Sequence, residues 1–279
     1  MSKPNIHPMA IVEEGAQLED DVVIEPYAIV KKNVTLKKGV VVKSHAYIDG
    51  HTTVGANTTI YPFACIGTQT QDKKYQGEKT FVKIGQNCNI REYVSINSSC
   101  GEGTSVSVGD RCLIMAYCHL AHHCQIGNDV TMANGSMLAG HVTIEDHVNV
   151  GGMTAVHQFV RIGAHSMVGG QSGLVHDVPP YTIGYGSRKV RIGGLNLVGL
   201  RRRKFKREDI RLLNEAYKLT YRSGLSLEQA LERIEAELDP VPVIVHWLQF
   251  ARSSTRGLSG LGLEESAPEE MSNPDVIHC

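Results

Sequence analysis

The chain has 279 residues, enough for one large domain with an appendage or for two ordinary domains. Its 28 Lys+Arg nearly cancel its 29 Asp+Glu, so no overall field favours nucleic acid, and 42% hydrophobic with 20% charged residues excludes wholesale disorder. Aromatic residues are only 6% beside 28 Gly, so the core must come mostly from aliphatics, in thin regular layers. No apolar run opens the chain and none approaches the ~18 residues of a membrane span. No leader or integral membrane segment is therefore expected. Seven Cys are odd in number and sparse, which fits reduced thiols in a cytoplasmic protein better than a disulfide framework.

From Ile6 onward every sixth residue is aliphatic, through Val12, Leu18 and Ile24 to Ile66, then from Ile84 to Leu174. Asp72, Glu78 and Glu102 are the exceptions, which leaves 26 matches in 29 positions. Ile, Leu, Val and Met are 76 of the 279 residues, so chance gives about eight. A second track two residues earlier holds small or β-branched residues, such as Ala10, Ala16, Val22, Ala28, Thr52, Ser136 and Ser172. Inward residues at i−2 and i make a short strand, and a nearby glycine (Gly67, Gly85, Gly109, Gly127, Gly151, Gly163, Gly169) is expected to supply a corner. One such unit cannot bury its inner face alone, so copies must stack.

Two polar excursions interrupt the pattern, residues 68–81 and 97–105, and the first is expected to reach over a neighbouring subunit's site. The repeat ends near Val178-Pro179-Pro180. Arg188 to Arg207 then carries nine basic residues and no acidic one, which suits phosphates or an acidic partner protein. Aromatic partners for an RNA base are scarce there. Helical spacing follows at Ile210, Leu213, Ala216, Tyr217 and Thr220-Tyr221. A capping box at Ser226 and Gln229 opens a helix over 227–238, and a third lies around 243–252. The reading is a prism domain over 1–190, a helical domain over 191–260 and a tail over 261–279 expected to be disordered.

The hexads resemble those of the hexapeptide-repeat acyltransferases, and this resemblance implies an all-β, three-sided, left-handed parallel β-helix with eighteen residues per coil. About nine coils then span 6–174, on the order of 45 Å. The register puts Cys88, Cys100, Cys112, Cys118 and Cys124 on the small inner track, as buried filling rather than metal ligands. The histidines lie off both tracks. Stacking by eighteens gathers His122, Gly140, His141, His157 and Gln158 on one edge, and His is the natural base near neutral pH.

The segments Gln71–Glu78, Ile90-Arg-Glu, His119-Leu-Ala-His122, Leu138-Ala-Gly-His141, Gly151–Gln158, Asp177-Val-Pro-Pro-Tyr and Tyr217–Gly224 make the resemblance closer. They are similar to those of the UDP-N-acetylglucosamine O-acyltransferases, the acyl-carrier-protein-dependent enzymes that begin lipid A synthesis. The likeness runs from about residue 5 to 260. It implies a homotrimer with sites between subunits, UDP-N-acetylglucosamine and an acidic acyl carrier protein as partners, no cofactor and no metal. The acyl group arrives on the carrier's phosphopantetheine. By the same resemblance His122 is the general base and the Gly140 N–H stabilises the oxyanion. His119, His141 and His157 position substrate, Asp72 and Gln158 hold the sugar, and Lys74 assists across a subunit boundary. Asn196, Arg202 and Arg203 meet the nucleotide, and Gly170 leaves room for a long acyl chain.

Three positions depart from the family pattern: His123, where an acidic or amide residue often orients the base, and Asn97 and Arg188, which replace His. Three other readings compete, of which a non-catalytic solenoid scaffold is the one that the histidine edge and the loop at 68–81 speak against. A γ-type carbonic anhydrase on the same prism would bind zinc between subunits, on His119, His122 and His141. The related N-acyltransferase carries an extra N-terminal domain, for which hexads starting at Ile6 leave no room.

Overall fold

Between Asn5 and Leu174 the chain forms 26 strands of two to four residues, and each holds one of the 26 aliphatic positions. A computed structural model describes residues 3–187 and 189–261. The strands stack into three parallel sheets, finally of 11, 9 and 8 strands. Partners are eighteen residues apart, as in Val23↔Val41, Ile29↔Tyr47 and Thr35↔Thr53. Both inward tracks are buried: Val22 and Ile24, Val40 and Val42, Val148 and Val150 are each at most 2% exposed. The volume left for one large aliphatic and one small residue per side excludes aromatics from the prism core.

The excursions are whole hexads looped out. Thr59 pairs with Asn89 and Cys65 with Ser95, thirty residues on, while Asn89 pairs with Leu113 and Ser95 with His119, twenty-four on. Loops of two hexads and of one hexad therefore leave the register untouched. The three failures of the six-residue rhythm, Asp72, Glu78 and Glu102, all lie in these loops. They are not defects in a strand.

Of the seven glycines expected at corners, Gly67 has a left-handed φ of 75° and the other six do something else. The left-handed corner residue is usually not glycine: Tyr27, His45, Asn57, Tyr93, Tyr117, His123, His141, His147 and Phe159 all have φ between 55° and 67°. Gly109 and Gly163, beside the aliphatic position, are instead where adjacent coils touch. A Cβ on Gly109 would lie 2.6 Å from the Gly127 carbonyl carbon, and one on Gly163 would lie 2.4 Å from Pro180 N. Close backbone approach, not φ, requires glycine there.

Four inner-track cysteines behave as filling. Cys88, Cys112, Cys118 and Cys124 are buried, and each thiol donates to a carbonyl of the next coil at 3.1–3.2 Å. Burial pushes the Cys118 thiol up to about 11 and that of Cys124 up to about 12, so neither supplies a thiolate near neutral pH. Cys100 differs from the expectation. It sits in the looped-out hexad, partly exposed, with its Sγ 3.4 Å from Asp72 Oδ2. A looped hexad has no inside, so the track does not reach it.

The last prism sheet continues through Thr182–Tyr185 and an antiparallel strand, Arg191–Leu195, so 191 lies within a hairpin. Helices begin at α1 (Leu197–Arg202), followed by α2 (Arg207–Tyr221), α3 (Leu227–Glu237) and α4 (Pro242–Arg252). The Ser226–Gln229 capping box is present. The helices bury Leu213, Ala216, Ile234 and Trp247, and polar contacts fasten them to the prism. Arg161 stacks over Phe250 at 4.0 Å and donates to its carbonyl, while Tyr181 and Glu145 flank His246, each at 2.9 Å. The tail from 262 and Arg188 lie outside the described residues.

Candidate active site

The three sheets meet at three edges, and the corner residues of successive coils stack along each. One edge, between the 9- and 8-stranded sheets, carries His123, His141 and Phe159, with ring centroids 4.1 and 4.5 Å apart. His122 precedes the corner and meets His123 and His141 edge-on at 5.3 and 5.2 Å. The two-hexad loop folds over this edge. Together they enclose a cavity of about 680 Å³, lined by the loop residues Thr70–Lys74 and by Asn97, His119, His122, Gly140, His141 and Gln158.

Within it, His122 Nε2 stands 3.5 Å from Asp72 Oδ2, with both side chains less than a fifth exposed. Asp72 is fixed by accepting from the Lys74 backbone N–H at 2.9 Å, and its own N–H donates to Thr70 Oγ1. That backbone donor, then the Cys100 thiol and the His122 charge, holds the Asp72 carboxyl below its ordinary value. Gly140 lies under the His122 ring: a Cβ there would fall 2.2 Å from Cε1 and 2.4 Å from Nε2. Only glycine leaves the ring its place. On the far side of the ring, Nδ1 of His122 and Nδ1 of His123 are 3.0 Å apart, so one proton is shared between two nitrogens. His123 thus occupies the orienting position that the sequence left without an assignment.

Burial lowers the pKa of His119; His123 and His141 are lowered by burial first and by neighbouring histidines second. These rings therefore stay neutral near pH 7 and can accept hydrogen bonds. His119 Nδ1 is held by Ser95 Oγ at 2.7 Å. Asn97 is 5% exposed; its amide nitrogen donates to Thr68, and its Oδ1 has no hydrogen-bond partner among the described residues. Asn97 lines the cavity, with that acceptor buried.

The structure thus brings together Asp72, Lys74, His119, His122, Gly140, His141 and Gln158 in a single chain. The loop lies over its own chain's site, so Lys74 and His122 are not divided by a subunit boundary as expected. His157, Gly170, Asn196, Arg202 and Arg203 are not on the cavity wall. Asn196 is buried as the N-cap of α1, accepting from Gly199 N at 3.1 Å and donating to His165 O at 2.9 Å, so its amide is occupied. A cap residue directly before a helical turn was the signal for α1, which the sequence reading passed over. Gly170 lies on a different edge, the one between the 11- and 9-stranded sheets. Within one chain, among the described residues, the group with donor atoms within 4.8 Å of one another is Cys100, His122 and His123.

A family model described as "Udp N-acetylglucosamine O-acyltransferase; Domain 2" matches residues 177–259, and the bacterial transferase hexapeptide model matches 105–140. The acyl-[acyl-carrier-protein]–UDP-N-acetylglucosamine O-acyltransferase of Chlamydia abortus is 52% identical over 95% of both chains. The chain belongs to the UDP-N-acetylglucosamine O-acyltransferases. The Myxococcus xanthus member is 44% identical, covering 91% of this chain and 98% of its own. Among solved structures, the UDP-N-acetylglucosamine acyltransferase of Campylobacter jejuni superposes with a TM-score of 0.85 at 39% identity, over 91% of this chain and 99% of that one. The prism is thus the left-handed parallel β-helix of the UDP-N-acetylglucosamine O-acyltransferases, and the match takes in the helical part as well.

Proposed function

We propose that this chain transfers an R-3-hydroxyacyl group from acyl carrier protein to the 3-hydroxyl of UDP-N-acetylglucosamine. The observation that carries the reading is His122: its Nε2 faces the cavity beside Asp72, its other nitrogen is held by His123, and Gly140 lies beneath the ring. With the shared proton on His122 Nδ1, Nε2 is a free base. It takes the proton of the 3-hydroxyl as that oxygen bonds to the thioester carbonyl carbon. The Gly140 N–H receives the developing oxyanion. The carbon–sulfur bond then breaks, and the imidazolium returns its proton to the departing phosphopantetheine thiolate. Asp72, Lys74, His119, His141 and Gln158 hold the sugar. No cofactor enters these steps.

The assembly is a homotrimer. In support, the edge between the 11- and 9-stranded sheets carries a ladder of Tyr27, His45, Phe63, Tyr93 and Tyr117, stacked at 4.9–5.1 Å. Four of these rings are 44–60% exposed, with Ile11, Met137 and Met167 exposed beside them on the flanking sheets. An apolar stripe of this length marks an interface. Packing that edge against neighbours brings Gly170 of one chain toward the histidine edge of the next, where it leaves depth for a long acyl chain. Arg202 and Arg203 meet the nucleotide phosphates, and the basic stretch around α1 docks the acidic carrier in the cytoplasm.

The test is an assay with UDP-N-acetylglucosamine and R-3-hydroxyacyl carrier proteins of graded chain length. Expected is one free carrier thiol per O-acylated product, with long chains preferred. No product from any thioester would refute the activity, and a short-chain preference would refute the role of Gly170.

A further inference from the structure

The looped-out hexad does more than leave the register intact. It carries Cys100 beside the catalytic histidines, where Cys100, His122 and His123 each present one donor atom within 4.8 Å of the others. The two histidine nitrogens already point at one another across 3.0 Å, and Cys100 Sγ is 3.4 Å from an Asp72 oxygen that is itself 3.5 Å from His122. In a tetrahedral zinc site, nitrogen and sulfur donors stand about 3.3–3.6 Å apart, given Zn–N and Zn–S distances of about 2.0–2.3 Å. The donor atoms stand within 4.8 Å of one another, and Cys100 is partly exposed in a loop. One thiol and two imidazoles select thiophilic ions such as zinc over magnesium or calcium.

We propose that Cys100, His122 and His123 form a zinc-capture site that switches the base off. The incoming Zn²⁺ displaces the thiol proton of Cys100 to solvent and the proton shared by the two rings to His122 Nε2, and bonds to sulfur and to the Nδ1 atoms of both histidines. Water takes the fourth position, as in zinc sites with three protein ligands. His122, once bound, can neither orient through His123 nor take a proton from a hydroxyl. Binding needs only the donors on the page; the inhibitory consequence rests on His122 being the general base.

The full-length chain, kept reduced with a non-chelating phosphine, is titrated with zinc sulfate by calorimetry and with cobalt chloride by absorption spectroscopy. Expected is one ion per chain and a thiolate-to-cobalt charge-transfer band, with transferase activity lost as zinc binds and restored by EDTA. Cys100 does not line the substrate cavity, so Cys100→Ala keeps its basal activity, loses the band, binds zinc at least tenfold more weakly and stays active at zinc levels that silence the wild type. His123→Ala weakens binding likewise. No zinc binding, or binding unchanged in both variants, overturns the site. Zinc held through Cys100 with activity intact overturns the switch, and the base reading falls as well only if His122→Ala is also active.

Discussion

Two edges of this prism share one backbone and differ in everything else. Along both, residues with left-handed φ turn corners and stack their rings on those of neighbouring coils. On one edge the rings are Tyr, His, Phe, Tyr and Tyr, and among the described residues no looped-out hexad covers them. On the other they are His123, His141 and Phe159, and a looped-out pair of hexads covers them. The difference teaches where a solenoid keeps its chemistry. The repeat supplies ring stacking everywhere, and a site arises only where an insertion encloses the stack and sets a carboxylate, Asp72, against it.

The contrast can be broken hardest at Gly140. Gly140→Val forces a side chain into the space of the His122 ring, and activity should fall about 10³-fold with the circular dichroism spectrum kept, because the base is displaced rather than lost. On the other edge, Tyr93→Asp with Tyr117→Asp puts two charges in the apolar ladder. The assembly should weaken by about 2 kcal/mol or more per residue, read as dissociation in light-scattering chromatography, with activity falling as the protein is diluted. His123→Ala should lower kcat by about tenfold to a hundredfold, leave KM near its value and move the acidic limb of the pH profile. His123→Gln, which keeps an acceptor, should recover much of the loss.

The smallest effect is confined to acid, on the third edge, where His165 stacks 4.6 Å from His147. Burial, and then the charge of His147, lowers the His165 pKa to about 4. The unfolded chain takes up this proton below about pH 6.5, whereas the folded one resists until about 4. Stability therefore falls as pH drops through that window, by at most about 3 kcal/mol, and is untouched above it. His165→Phe should flatten the slope of urea midpoint against pH between 6.5 and 4.

The fold was almost wholly legible, because period six is a property of the sequence itself: the 26 aliphatic positions are the 26 strands, and the three failures are the loops. The site was legible in part. Stacking by eighteens finds His122, Gly140 and Gln158 on one edge, since columns follow from the register. It says nothing of how a loop folds, so it could not see Asp72 returning to its own chain's His122 or Cys100 leaving the inner track. Glycine was misread for a related reason. Spacing places Gly109 near a corner, but only the distance to the next coil tells that the space, not the turn, demands it. His123 was visible as a departure, yet its orientation depends on a rotamer that no spacing encodes.

The most direct measurement compares wild type with His122→Ala in the assay of UDP-N-acetylglucosamine acylation by R-3-hydroxyacyl carrier protein. The account predicts that the variant folds and assembles as the wild type does while its turnover falls by at least about a hundredfold. Turnover equal to the wild type would contradict it, because no other group on the cavity wall is placed as this base is.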